Sequence, residues 1–270
     1  MHIKLDDLAR PARVAHITDT HLGEHANFTL LDMETDRSLD YVLQSIEQCT
    51  PAPDIILVTG DIADHGSRAA YERLQSKLAR FAQPKLWLNG NHDVIDRMRS
   101  VVGFGNELAR RALIGEWQII MLDTTLTGAV GGVIARAELE FLHGCLQQRA
   151  NMFSLICLHH QPVPVGCQWL DEQQIVNADE LLGLIKKFDT VRGVLWGHVH
   201  QQFEQQRDAV QLMSTPSTCV QFAPGSDDFK VDDKAPGYRW LELHTDGRLE
   251  TEVRRVEDAE LEVDLQSTGY

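Results

Sequence analysis

Asp, Asn and His residues recur in this chain in five short clusters, and each cluster stands just after an apolar run. The clusters are Asp19-Thr20-His21, Gly60-Asp61, Gly90-Asn91-His92-Asp93, His159-His160 and Gly197-His198-Val199-His200. The runs before them cover 13–17, Ile55–Thr59, Lys85–Leu88, 155–158 and Val191–Trp196, rich in apolar and β-branched residues. A fold that gathers strand ends along one edge brings these oxygen and nitrogen donors together. Such a set suits two divalent cations of the Mn, Fe, Co, Ni or Zn kind. Two adjacent metals are a device for attacking a phosphorus centre.

The elements that position these residues follow from periodicity. Strand 13–17 is followed by a helical stretch at 37–48, and strand Ile55–Thr59 by a helix over 67–81 carrying Tyr71, Leu74, Leu78 and Phe81 at helical spacing. Lys85–Leu88 leads to a short helix over 94–101. Strand 117–122 precedes a helix at 136–149, and strand 153–158 leads through a Pro-containing loop to a helix at 178–188. After Val191–Trp196 the pattern turns all-β: 202–206, Val210–Ser214, 239–244 and 248–253, with Asp246-Gly247 as a type I′ hairpin signal between the last two. Alternating strands and helices followed by antiparallel strands predict an α/β fold of two sheets with helices outside. Ligands in layered α/β folds collect beyond the carboxyl ends of strands, where every cluster sits. No repeat interrupts the pattern; 224–236 reads as a surface loop and 257–270 as a weakly held tail.

Composition agrees with an enzyme. The chain has 270 residues, 43% hydrophobic and 24% charged, enough for a sizeable core in a single unit. No apolar run approaches the ~18 residues of a membrane span, and the start Met1-His2-Ile3-Lys4-Leu5-Asp6-Asp7 lacks a signal-peptide core. Five cysteines, an odd number without a Cys-x-x-Cys pair, predict a reducing, cytoplasmic setting. The net charge of −15, with no Lys/Arg cluster longer than two, offers no footprint for DNA or RNA. The expected partner is therefore a small molecule, with no nucleic acid and no membrane; the sequence sets no oligomeric state.

The ordered series Asp-x-His, Gly-Asp, Gly-Asn-His-Asp, His and Gly-His-x-His resembles the calcineurin-like metallophosphoesterase superfamily over nearly the whole chain, 13–255. Longer stretches look like the bacterial class III 3′,5′-cyclic-AMP phosphodiesterases: Ile17-Thr18-Asp19-Thr20-His21-Leu22, His159-His160-Gln161-Pro162, Gly166-Cys167-Gln168-Trp169-Leu170-Asp171, 214–222 and Ala235-Pro236-Gly237-Tyr238-Arg239. The resemblance implies a four-layer α-β-β-α sandwich of two mixed β-sheets flanked by helices, with 1–256 as one metallophosphoesterase domain. It also implies that one metal takes Asp19, His21, Asp61 and His200 and the other Asp61, Asn91, His159 and His198, with Asp61 bridging. A carboxylate has the two anionic oxygens needed to span metals ~3.5–4 Å apart, and the absence of Cys argues against a closed structural zinc site. Fe or Mn are the metals expected.

The activity implied is hydrolysis of 3′,5′-cyclic AMP to 5′-AMP by a metal-bridging hydroxide. His92 would donate a proton to the leaving oxygen, oriented by Asp93, and His21, Asp61, Asn91, His92, His159 and His198 would face the substrate. Charge agrees: two divalent metals less two carboxylates and one hydroxide leave one positive charge, which a diester monoanion neutralises. A broader phosphodiesterase acting on 2′,3′-cyclic nucleotides or other small diesters shares the same metal motif. A decayed, non-enzymatic interaction module is disfavoured by the intact ligand set. His160 reads as packing behind a ligand, since alternate strand positions face opposite ways. His16 reads as a satisfied core residue, and His2, His25, His65, His143 and His244 as surface. Segment 162–177 leaves the site directly after His159 and is expected to contact base and ribose.

Overall fold

The continuous apolar runs at Ile55–Thr59 and Val191–Trp196 demand burial on both faces, and the structure supplies it. Every residue of the first is buried, and all but one of the second. The computed structural model describes residues 3–5, 9–103 and 105–269. Met1, His2, Asp6 and Asp7 of the chain start, and Tyr270 at the end of the tail, lie outside the described residues.

Along the chain the strands are β1 (Ile3–Lys4), β2 (Ala12–Ile17), β3 (Thr29–Leu30), β4 (Met33–Glu34), β5 (Ile55–Thr59), β6 (Lys85–Leu88), β7 (Arg111–Ile114), β8 (Trp117–Met121), β9 (Phe153–Cys157), β10 (Val191–Trp196), β11 (Phe203–Arg207), β12 (Val210–Ser214), β13 (Gln221–Phe222), β14 (Val231–Asp232), β15 (Gly237–Leu243) and β16 (Leu249–Arg255). The helices are α1 (Thr35–Glu47), α2 (Arg68–Leu78), α3 (Ile95–Val102), α4 (Arg136–Gln148), α5 (Gln168–Asp171) and α6 (Ala178–Ile185). One sheet runs β16-β15-β2-β5-β6 and the other β1-β7-β8-β9-β10-β12-β11. Both are mixed: β2, β5 and β6 are parallel neighbours, as are β8, β9 and β10, while β15 and β11 join their sheets antiparallel.

Three apolar layers separate four structural ones, so the expected α-β-β-α sandwich stands. The middle layer packs the sheets face to face through Val14, Leu57, Leu86, Ile119, Leu155, Leu195 and Leu241. One outer layer packs Leu39, Leu43, Tyr71, Leu74 and Met98 of α1, α2 and α3 on Ile17, Ile56 and Val58. The other packs Leu142, Leu146, Leu181 and Ile185 of α4 and α6 on Ile120, Ile156 and Val194. Alternation along each strand sends neighbouring side chains to opposite layers: in β5, Ile56 and Val58 face helices, Ile55 and Leu57 the other sheet.

Several sequence expectations need correction. The hairpin at Asp246-Gly247 is not type I′: only Gly247 has positive φ (85°). Its N–H donates to the His244 carbonyl at 3.0 Å, and His244 N–H donates to Arg248, the three-residue pattern of a type I turn closed by a left-handed glycine. The tail beyond Val256 is held rather than loose. Leu261 and Val263 pack on the α4/α6 layer, and Asp264 N–H donates to the Leu31 carbonyl at 2.9 Å. The helix expected over 67–81 stops at Leu78, and that over 178–188 at Ile185. Strand β7 carried no alternating signal; it forms because Gly115 (φ 51°) closes a two-residue turn onto β8.

Leu57, fully buried mid-strand in β5 between the sheets, provides a check on this layering. Leu57→Ala should destabilise the protein by ~2–5 kcal/mol, seen as a lower urea midpoint with unchanged slope. A loss below ~1 kcal/mol would mean the inter-sheet layer is not a close-packed core.

Candidate metal centre

The five clusters do converge. β2, β5 and β6 end beneath Asp19, His21, Asp61, Asn91 and His92; β9 and β10, from the other sheet, end beneath His159, His198 and His200. The two sets are stitched across the sandwich. His198 N–H donates to both Asp19 carboxylate oxygens at 3.1 and 3.0 Å, and His159 Nδ1 donates to the Thr59 carbonyl at 2.8 Å.

Backbone strain concentrates here. Asp19, His21, Asp61, His198 and His200 all adopt positive φ, between 42° and 63°. That region costs a non-glycine residue about 1–2 kcal/mol, and such residues cluster at functional sites. β2, β5 and β10 therefore turn sharply at their ends and throw these side chains inward. Glycines make room: a Cβ on Gly60 would strike the His159 ring, and one on Gly90 would strike Asp61.

Hydrogen bonds on the far side of each ring decide which nitrogen faces the centre. His200 Nδ1 donates to the Val220 carbonyl at 2.8 Å, His159 Nδ1 to Thr59, and His21 Nδ1 lies 3.3 Å from Asp64 Oδ1. Their Nε2 atoms point to the centre. His198 is turned the other way, its Nε2 3.0 Å from Gln173 Oε1, so it presents Nδ1. Asp61 Oδ2 stands 3.2 Å from His159 Nε2 and 3.8 Å from His21 Nε2, and Asn91 Oδ1 is 3.1 Å from His159 Nε2. The donor atoms of Asp19, His21 and His200 lie within 4.8 Å of one another, as do those of Asp19, Asp61 and His159. His160 also lies near His159 and His198, but its Nδ1 pairs with Thr124 at 2.8 Å and its Nε2 with Val130 at 3.0 Å. It is packing, as is His16, whose nitrogens pair with Thr215 and Thr59 at 2.5 and 2.7 Å. Of the histidines read as surface, His65 is exposed but pairs with Asp64 at 3.2 Å, and His244 is partly buried beside Glu250.

Electrostatics match a cation site. Burial alone would raise both carboxyls; His200 instead draws Asp19 below the usual carboxylate range, and His159 draws Asp61 well below it. Burial likewise opposes charge on His159, but the adjacent Asp61 carboxylate lifts it to about 9. His198 is pushed well below its ordinary value by burial and by His160 and His159. The cluster thus holds charge that only a further cation or retained protons can balance.

His92 departs from its expected support. Its Nδ1 donates to the Asp64 carbonyl at 2.8 Å, and its N–H donates to Asp61 at 2.9 Å. The expectation that Asp93 orients this ring is corrected. The Asp93 carboxylate accepts N–H groups of Gly90, Ile62 and Ala63 and the Tyr71 hydroxyl, and burial with nearby Asp61 raises it to about 6. Asp93 therefore shapes the loops bearing Asp61 and Asn91. Sequence reasoning missed Asp64, which touches His21 through its carboxylate and His92 through its carbonyl. The available signal was its position three residues after Asp61, inside the same polar loop. It also missed Gln173, in the 162–177 segment, whose contact with His198 no local pattern announces.

Ligation requires neutral histidine. At pH 7.5 the metal-free protein holds His159 protonated, its value being about 9. Mn²⁺ added to stripped protein should therefore release at least one proton, and its affinity should climb as pH rises toward 9. Calorimetry in buffers of different ionisation enthalpy measures this, and Mg²⁺ should bind far more weakly to so histidine-rich a set. A pH-independent affinity would rule out His159 as a ligand.

Comparison with known proteins agrees with this geometry. Residues 12–202 match the model of the calcineurin-like phosphoesterase family. A Pseudomonas aeruginosa protein named 3′,5′-cyclic adenosine monophosphate phosphodiesterase CpdA is 40% identical over 95% of this chain and 94% of its own. The protein of the same name from Escherichia coli K12 is 41% identical over 96% and 94%, and a 3′,5′-cyclic-nucleotide phosphodiesterase from Nostoc is 35% identical over 91% and 93%. Among solved structures, a purple acid phosphatase from yellow lupin superposes with a TM-score of 0.66 at 15% identity, covering 95% of this chain and 53% of its own. A dimetal phosphatase from Danio rerio gives 0.60 at 14%, covering 92% and 100%. The Asp, Asn and His donors gathered at the strand ends, the family match and the near full-length relatives lead to one conclusion: this chain belongs to the calcineurin-like phosphoesterases.

Proposed function

We propose that the protein is a two-metal phosphodiesterase that hydrolyses 3′,5′-cyclic AMP to 5′-AMP. The observation that carries the reading is the position of Asp61, whose Oδ2 lies within 3.2 Å of His159 and 3.8 Å of His21, between donors from two sheets. Relatives about 40% identical along nearly their whole length carry the cyclic-AMP phosphodiesterase name, which supports the substrate. Asp19, His21, Asp61 and His200 would hold one cation, and Asp61, Asn91, His159 and His198 the other. Imidazole and oxygen donors without thiolate fit Fe or Mn. A bound pair supplies Lewis acidity toward phosphoryl oxygens and lowers the pKa of water toward ~7.

The chain's own residues do the rest. His92, anchored at Nδ1 by the Asp64 carbonyl, carries on Nε2 the proton for the departing 3′-oxygen. Asp61 raises the pKa of His92 against the opposing effect of burial, which keeps it charged closer to neutral pH, as an acid requires. Asp93 acts indirectly, holding the loop from which Asn91 and His92 project. The same fold serves as an anchor in a Plasmodium membrane complex, with a TM-score of 0.65 at 13% identity, so fold alone does not carry this proposal; the donor set does. Residues 1–256 would form one domain, since β16 is laid on β15, which pairs with β2 at the sheet's centre. The five free cysteines support a cytoplasmic setting, and no described helix is long and apolar enough to cross a membrane.

His92→Ala should retain metal and lower kcat by ~10²–10⁴-fold, with a smaller loss for bis-nitrophenyl phosphate, whose leaving group needs no proton. Equal losses on both substrates would remove the acid role. A panel on Mn²⁺-loaded protein tests the substrate: 3′,5′-cyclic AMP, 3′,5′-cyclic GMP, 2′,3′-cyclic AMP, 5′-AMP and a nitrophenyl diester. The proposal expects the first to lead. If 2′,3′-cyclic AMP exceeds it by more than ~100-fold in kcat/KM, a gap of ~2.7 kcal/mol, the broader-specificity reading replaces it.

A further inference from the structure

Beneath the metal centre a row of polar side chains crosses the apolar layer between the sheets. His16 of β2, Thr18 just past it, Thr59 of β5 and Thr215 just past β12 are all fully buried. Alternation puts them on the inter-sheet side, in step with Val14, Leu57 and Met213 of the middle layer. Polar groups are costly there unless each is paired. The pairing is complete, and it runs one way.

The direction follows because each threonine has a single proton to give. Thr18 gives its proton to the Thr59 carbonyl at 3.1 Å. Thr59 gives its own to Thr18 Oγ1 at 3.0 Å. The Thr59 hydroxyl oxygen therefore accepts from His16, whose proton sits on Nε2, 2.7 Å away. Burial, with Arg239 nearby, holds the His16 ring neutral. Its Nδ1 is then an acceptor, and the Thr215 hydroxyl, 2.5 Å away, donates to it. The chain ends at the Thr59 carbonyl, which also accepts from His159 Nδ1 at 2.8 Å.

We propose that His16 is a positioning residue for His159: through Thr59 and Thr18 it fixes the carbonyl that holds His159 Nδ1–H and so aims Nε2 at the metals. The inference rests on the two-metal reading above. Outer contacts of this kind set the tautomer and orientation of a ligating ring, and hydrogen bonds in a buried chain reinforce one another. The chain also meets the other half of the centre. A Cβ on Gly197 would strike Thr18 Oγ1 and Asp19 Oδ2, so glycine lets the turn bearing His198 close over the Thr18 hydroxyl. Thr215 N–H donates to the Trp196 carbonyl at 3.0 Å, and Gly197 N–H to the His159 carbonyl at 3.1 Å. His16 thus ties the end of β5, which leads to Asp61, to the end of β12, which lies beside the end of β10 and His198.

The tautomer tests the chain without any metal. Long-range ¹H–¹⁵N spectra of stripped protein at pH 7.5 should show His16 protonated at Nε2 alone; a proton on Nδ1 overturns the proposal. Metal binding tests the positioning, through the two stepwise Mn²⁺ affinities read by calorimetry. His16→Leu removes donor and acceptor, and Thr59→Val breaks the chain but keeps the carbonyl. Each should weaken one affinity about tenfold, the low end for a lost outer contact, and leave the other within about threefold. His16→Gln, with one donor and one acceptor, should recover most of the loss. Equal weakening of both affinities in step with a lower melting temperature overturns the proposal. So do affinities unmoved in whichever of His16→Leu and Thr59→Val folds, or a Gln variant no better than Leu. Fewer than two Mn²⁺ per wild-type chain sinks the two-metal reading and this inference with it; two Mn²⁺ with unmoved affinities sinks only this inference.

Discussion

The Asp61 carboxylate sits where two sheets meet, and most of the centre is arranged around keeping it there. A buried carboxylate is costly unless it is paired and hydrogen-bonded. Asp61 meets that requirement with His159 from the opposite sheet, His21 from the neighbouring strand end and the His92 N–H. Its own backbone is strained at φ 46°, a geometry that persists only where surrounding structure over-determines it. Gly90 leaves space for the carboxylate, and Asp93 gathers the Ile62 and Ala63 N–H groups just beyond it. The layered sandwich supplies the rigidity: strand ends anchored in three close-packed apolar layers cannot relax away from the strained turns.

Support for the ligand rings comes almost entirely from backbone carbonyls and polar side chains outside the motifs. Thr59, Val220, Asp64 and Gln173 each engage the outer nitrogen of one ring. Three rings present Nε2 and one presents Nδ1. Such outer contacts set tautomer and orientation together, so the placement of ordinary residues decides whether the donors aim at a common point. Behind them, His16 is driven to about 3 by burial and by Arg239. It therefore acts as a neutral hydrogen-bonding strut between Thr59 and Thr215, not as a titrating group.

The two histidine roles also divide by burial. His21, His159, His198 and His200 are buried, where charge is admissible only beside a carboxylate or when a metal replaces the proton. His92 lies nearer solvent, with its side chain 23% exposed, and can exchange a proton. A single short loop, 90–93, thus delivers the proposed ligand Asn91, the proposed proton carrier His92 and the loop-holding carboxylate of Asp93, each separated from the next by one backbone step.

Much of this was legible in the chain. The β-branched runs, the helical stripes and the polar clusters at strand ends identified the layers and the donors, because burial on both faces and convergence at carboxyl ends leave a direct imprint on residue type. Asp93 was misread because its motif places it beside His92 in sequence, whereas the turn points its carboxylate at backbone N–H groups instead. Asp64 and Gln173 left little imprint, since a polar residue on a loop reads as solvent-exposed until the loop is folded back. The β7 strand escaped because four residues are too few to carry a period, and the docked tail because its partner, the Leu31 carbonyl, is distant in the chain. The sequence by itself determined the donor types, their order and the sheets that bear them. Only the tertiary structure decided which nitrogen each histidine presents and which carboxylate supports which ring, because both depend on contacts between segments far apart in the chain.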